Sequence, residues 1–128
     1  MNVSPATTDL SNPMHSDCPG RDVFKLVTGR WTLLILWSLK SGPLRFFQIR
    51  DQVEGISERV LSSALKDLWR HGLISRHVEP SVPPKVSYSL TPSGQGLHDV
   101  MGQLTGWIAS ELDSIEAAKR RFDSGSEG

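Results

Sequence analysis

Two stretches of this chain hold residues whose types and spacing suit chemistry. The first is Cys18, the single cysteine. It precedes Pro19 at the start of a predicted helix, and Arg21 follows shortly after. A helix start and a cation both stabilise thiolate, the reactive form of the side chain. Adjacent Asp17 opposes that effect, and a lone cysteine also serves as a small packed side chain. With no second thiol in the chain, a disulfide from Cys18 can reach only another chain or a small thiol. The second stretch is "SERVLSSALKDLWRHGLI", Ser57 to Ile74. Wound as a helix at ~100° per residue, it gathers Leu61, Ala64, Leu65 and Leu68 on one side. Arg59, Ser63, Lys66 and Arg70 fall opposite, with Ser62 at the flank. No carboxylate lies on that arc, and Glu58 and Asp67 sit toward its sides.

The chemistry of such an arc is recognition of a polyanion. A duplex major groove admits one helix, presents acceptors on guanine, and is walled by phosphate. Arg59, near the helix start, has the planar fork that fits a guanine edge. Ser62 and Ser63 are short enough for close backbone approach and can bond either a base or a phosphate. Lys66 and Arg70 are placed for phosphates, and the free N–H groups at the Ser57 end can hold another. Arg76, His77 and Lys85 follow in a strand-like region and extend the list toward sugar-phosphate or the minor groove. Arg76 shares a strand face with Ile74 and Val78, so its stem can instead pack against Tyr88. Ser, Lys and Arg also decorate helices that simply face water, so the arc alone does not decide for DNA.

Catalysis finds little support. A nucleophile needs a nearby base; His15 falls in a polar leader, and His71, His77 and His98 are scattered without metal-ligand spacing. The sequence contains no phosphate-binding loop and no paired-carboxylate signature, so no enzyme, cofactor or metal is expected.

The elements that must position these residues read as follows. A first helix runs from Pro19 or Arg21 to about Thr28, with Val23, Phe24 and Val27 on one face. A second, Trp31 to about Lys40, is apolar nearly all round and is expected to form the buried centre. A third, in "LRFFQIRDQVEG", points Phe46, Ile49 and Val53 inward. After the short connector Glu54-Gly55-Ile56, Ser57 caps the fourth helix, which Gly72 ends in a left-handed turn. "ISRHV" and "VSYSL" alternate as strands around the Pro-rich loop "EPSVPPK". Thr91-Pro92 opens a last helix reaching toward Phe122, about thirty residues and ~45 Å long. Leu97, Met101, Leu104, Ile108, Leu112 and Ile115 form its apolar stripe. Helix, short turn, helix and hairpin together make a winged helix-turn-helix, mostly α with a small β-hairpin wing.

Charge agrees with this layout. Lys and Arg total 14 and so do Asp and Glu, for zero net charge. Between Arg21 and Leu90, however, eleven cations face six acids, leaving the acidic surplus at the two ends. A cationic surface can therefore exist on a neutral chain. The polar start lacks the pattern of a signal peptide, and "LLILW" is too short to span a bilayer. The expected location is cytoplasmic, in a bacterium or archaeon, on the nucleoid when DNA is bound.

In family order, "CP", "GRW", "RFFQI", "GISERVLSSALKDLWRHGLISR" and "VSYSLTPSGQGL" resemble the HxlR-type transcriptional regulators of the MarR-like group, from Cys18 to about Trp107. The resemblance implies a homodimeric DNA-binding regulator, a repressor before an activator, whose dimer is built from the first and last helices; a dimer carrying two such recognition helices should prefer an inverted-repeat operator. It also implies a response to an electrophile, oxidant or other small ligand through the cysteine at position 18. Two departures stand out: Arg30, where most members carry Lys, and a longer segment before Cys18. The resulting expectation divides the chain into a flexible tail (1–17), a winged helix-turn-helix domain (18–122) whose dimerisation helix covers about 91–122, and a disordered end (123–128). The long apolar stripe points to a dimer independently, since one small domain cannot cover it. The competing reading is a winged-helix module whose fourth helix serves another protein instead of DNA.

Overall fold

The computed structural model describes residues 19–125, so Cys18 and the expected tail 1–17 lie outside the described residues. Among the described residues, five helices and three strands run in the order α1 (Pro19–Val27), α2 (Thr32–Ser38), β1 (Leu44–Arg45), α3 (Phe46–Gln52), α4 (Glu58–Arg70), β2 (Ile74–Glu79), β3 (Lys85–Leu90) and α5 (Pro92–Asp123). The chain forms two units, one up to His98 and one from Asp99 onward.

Local chemistry sets the helix boundaries. The Ser57 side chain accepts the Val60 N–H at 3.1 Å, the capping bond that its hydroxyl suits. At the other end of α4, Gly72 takes φ +75°. Its N–H reaches the Trp69 carbonyl and the Leu73 N–H reaches that of Leu68, both at 3.0 Å. Those two bonds are the paired closure of a Schellman turn, and only glycine adopts the left-handed step without penalty. Thr91 opens α5 by accepting the Gly94 N–H at 3.0 Å, while its own hydroxyl donates to the Gly72 carbonyl at 2.6 Å. The start of the last helix is thereby tied to the end of the fourth.

The core of the first unit is Ile35, Leu36, Leu39, Ile49, Val53, Ile56, Leu61, Leu65, Leu68 and Ile74. Apart from Ile74 of β2, these apolar side chains come from α2, α3, α4 or the segments beside them, so burial of α4's inner side fixes which side it presents outward. Thr32, the one buried polar residue of α2, donates to the Leu26 carbonyl at 2.6 Å and so joins α2 to α1.

Two expectations need correction. The hairpin is not alone: β1 pairs antiparallel with β3, setting Leu44 opposite Tyr88 and giving a three-stranded sheet in the order β1-β3-β2. The second helix is not buried all round, because Leu34 and Trp37 are 44% and 39% exposed. A seven-residue helix has two sides, and apolar composition does not say whether both are covered. On α1, Val23 and Phe24 are 45% and 50% exposed.

In α5, Met101 is buried, but Leu104, Trp107, Ile108, Leu112 and Ile115 stay exposed. Among the described residues no helix is long and apolar enough to cross a membrane.

Candidate nucleic-acid interface

The outward side of α4 carries Arg59, Ser62, Ser63, Lys66 and Arg70, and all five are exposed. Leu61, Leu65 and Leu68 are buried on the opposite side, as the winding requires. Among the described residues, no ion pair engages Arg59, Lys66 or Arg70.

The acids near that side are drawn elsewhere. Glu58 Oε2 accepts Arg50 Nη1 at 2.6 Å, so its carboxylate is turned to α3 and away from the outer arc. Asp51 accepts the other arm of the same guanidinium at 3.3 Å. Those bonds, that of Asp51 first, hold the pKa of Arg50 above its ordinary value. Asp67 stands 3.9 Å from His71 Nδ1, and its main-chain carbonyl lies 2.8 Å from the same nitrogen. Among the described residues the cations of α4 thus have no ion-pair partner, while the Glu58 carboxylate is held by Arg50. Unpaired cations keep their attraction for an incoming anion.

The wing adds a second component. Arg76 stands opposite Tyr88 in the β2–β3 register and lays its guanidinium 5.3 Å from the Trp69 ring centroid. Ser62, Lys66, Trp69, Arg76 and Tyr88 line one groove between α4 and the wing. Ser62, Lys66 and Arg76 therefore converge. His77 and Lys85 do not join them: strand alternation puts them on the other face of the hairpin, where His77 opposes Ser87 and Lys85 opposes Glu79. Both remain exposed. Ser57 sits at the α4 start, its hydroxyl already engaged in capping. Cys18 falls outside the described residues.

Sequence reasoning missed Trp69, which appears there only as one more position on the fourth helix. It also missed a larger cleft on the other flank of α4. That cleft, about 600 Å³, lies between α4 and the α1–α2 junction, with Lys25, Arg30, Arg59 and Arg70 among its lining residues. The elements that line it are distant in sequence, so periodicity carries no signal for it.

A three-helix core, an exposed cationic helix after a short turn, and a hairpin against its flank define a winged helix-turn-helix protein. Residues 26–116 match the HxlR-like helix-turn-helix family, and the chain belongs to that family. It is 39% identical over 108 residues to YtfH of Escherichia coli strain K12, an uncharacterized HTH-type transcriptional regulator; the match covers 84% of this chain and 86% of that protein. Among solved structures it resembles ytfH from Salmonella typhimurium, with a TM-score of 0.78 at 40% identity over 86% of this chain and 98% of that one. It also resembles diamide-treated YodB from B. subtilis, with a TM-score of 0.64 at 35% identity over 75% and 96%. YodB is likewise solved in a reduced form.

Proposed function

We propose that this protein is a transcriptional repressor that binds an inverted-repeat operator as a homodimer, with one α4 helix in each of two successive major grooves. The observation that carries this reading is the outer face of α4, whose exposed cations have no ion-pair partner among the described residues while nearby Glu58 is held by Arg50. Arg59 reads base edges, Ser62 and Ser63 let the helix approach, and Lys66, Arg70 and the Ser57 end hold phosphates. Arg76 reaches the backbone from the wing, with His77 and Lys85 further along it. The exposed stripe of α5 supports the homodimer, and a two-fold pair sets the half-sites about one helical turn apart. In this reading the winged domain spans residues 18–122, with dimerisation along about 91–122, and the ends 1–17 and 123–128 stay outside it.

The relation to YodB, solved in reduced and diamide-treated forms, supports a thiol-linked response through Cys18. Oxidation would join Cys18 to a thiol of a second chain or to a small thiol, since the chain has no other cysteine. A shift at the dimer interface then changes the separation of the two α4 helices, and the operator is released.

The test begins with DNA captured genome-wide by the purified protein, with and without diamide, followed by footprinting. Expected are a two-fold footprint, and loss of retention on oxidation that Cys18→Ser abolishes. Arg59→Ala should cost ~1–3 kcal/mol and relax discrimination at particular base pairs. Lys66→Ala should weaken all sequences alike and lower the salt slope by about one. If both variants hold promoter DNA as the wild type does, the assignment of α4 fails.

A further inference from the structure

The exposed face of α4 lies between two grooves. On the wing side run Ser62, Lys66, Trp69, Arg76 and Tyr88. On the other side is the cleft against the α1–α2 junction, whose walls include Lys25, Arg30 and Trp31 together with Arg59 and Arg70. A helix in a major groove has a phosphate strand on each side of it. The wing groove, with Lys66 and Arg76, answers to one strand. Resting on the proposed function, we infer that the second cleft receives the backbone of the other strand, and that Lys25 and Arg30 are phosphate contacts there.

Several features support a phosphate backbone as the occupant. Four cations line the cleft against two acids, Asp22 and Asp67, with His71 beside them. Arg59 and Arg70 belong both to this cleft and to the outer arc of α4, so whatever fills one is continuous with whatever meets the other. Lys25 and Arg30 are exposed, and no ion pair engages either among the described residues. The Arg30 guanidinium is held 4.9 Å from the Trp31 ring centroid. Such a cation–π arrangement leaves the N–H groups of the fork free to donate while limiting the freedom lost on binding. Residues of α1 and of the α1–α2 turn thereby become part of the interface, although neither belongs to the helix-turn-helix.

The experiment is a salt titration of affinity, on a long mixed-sequence duplex and on the captured operator, for wild type, Lys25→Gln, Arg30→Gln and the double variant. Removing one cation from a phosphate should lower the slope of log K against log salt by ~0.9. The double variant should show close to twice that reduction and keep its preference for operator over mixed sequence. Arg30→Lys should retain the slope, which a merely structural role for the guanidinium would not predict. Asp22→Asn should tighten binding to both duplexes, because it removes a like charge from the wall facing phosphate. Unchanged thermal melting of these surface variants separates weakened phosphate binding from a damaged fold. If the wild type binds the operator specifically and the double variant keeps its full salt slope, this inference falls while the assignment of α4 stands. If the wild type binds neither duplex, the proposed function falls and takes this inference with it.

Discussion

Helices α4 and α5 are both amphipathic, yet they solve burial differently. In α4 the apolar side is covered: Leu61, Leu65 and Leu68 are at most 2% exposed, and the opposite arc carries polar and charged groups with Trp69 exposed at its flank. In α5 the apolar side is largely open, with Leu104 at 52% and Trp107 at 56% exposure. The first of these helices has its leucine side buried, and what it offers outward is chiefly charge. The second is incomplete, and what it offers outward is hydrocarbon. Exposed apolar surface on this scale marks an interaction site. In the proposed reading, one helix meets a solvated polyanion, whereas the other loses its water against a second copy of the chain.

The sharpest way to break this comparison is to charge the open stripe. Ile108→Asp places a carboxylate where the dimer reading requires a dry contact, and burying an unpaired charge is costly. The variant should sediment as a monomer in analytical ultracentrifugation. Its operator affinity should fall by roughly 10²–10⁴-fold, the scale of the avidity gained by linking two sites. Its affinity for a single half-site should barely change, because α4 is untouched. A dimeric Ile108→Asp protein would show that the stripe is not the interface.

The two helices meet at one place inside the first unit. Thr91 bonds Gly72 at the end of α4, the Thr91 N–H reaches the Leu73 carbonyl at 3.2 Å, and Gly94 packs onto that same carbonyl. A Cβ at Gly94 would collide with the Leu73 carbonyl oxygen, which is backbone and cannot swing aside. Gly94→Ala should cost ~1–3 kcal/mol, the usual range for overpacking, and lower the melting temperature. Gly96→Ala is the control, since no atom lies near its Cβ position. There the added methyl should be neutral or stabilising, as alanine is the better helix former. Equal melting of the two variants would mean that the junction of α4 and α5 yields easily.

Much of this contrast is legible in the sequence, for identifiable reasons. The cap Ser57, the left-handed Gly72 and the helical spacing of Leu61, Leu65 and Leu68 are local signals, and each corresponds to a bond or a burial in the structure. The pairing of Ile74–Glu79 with Lys85–Leu90 is equally local. By contrast, β1 has only two residues, too few for alternation to register, and its partner β3 lies far along the chain. Periodicity ranks faces by polarity but does not say what covers them. For that reason α2 reads as a buried centre although Leu34 and Trp37 face out. Both grooves beside α4 escape the same reading, since Arg30 and Arg59, or Trp69 and Arg76, meet only after folding. The family pattern points to the helix proposed to face DNA, but not to the two walls that flank it.

The smallest expected effect tests whether the polar helix is also electrostatically tuned at its start. Ser57 accepts the Val60 N–H and, in the DNA reading, stands where the free N–H groups of α4 face a phosphate. These two roles predict different outcomes. Ser57→Ala removes the cap and should cost ~1 kcal/mol of stability, a shift of a few degrees in melting. Ser57→Asp keeps a good capping acceptor and adds a charge favourable to the helix dipole. It should therefore melt at or above the wild-type temperature. The same carboxylate repels phosphate, so Ser57→Asp should bind DNA more weakly than Ser57→Ala despite being the more stable of the two. The opposed order of stability and affinity separates a site on DNA from a site that only starts a helix. If Ser57→Asp binds DNA as the wild type does, the start of α4 faces no phosphate, and the DNA-facing surface begins further along the helix, at Arg59.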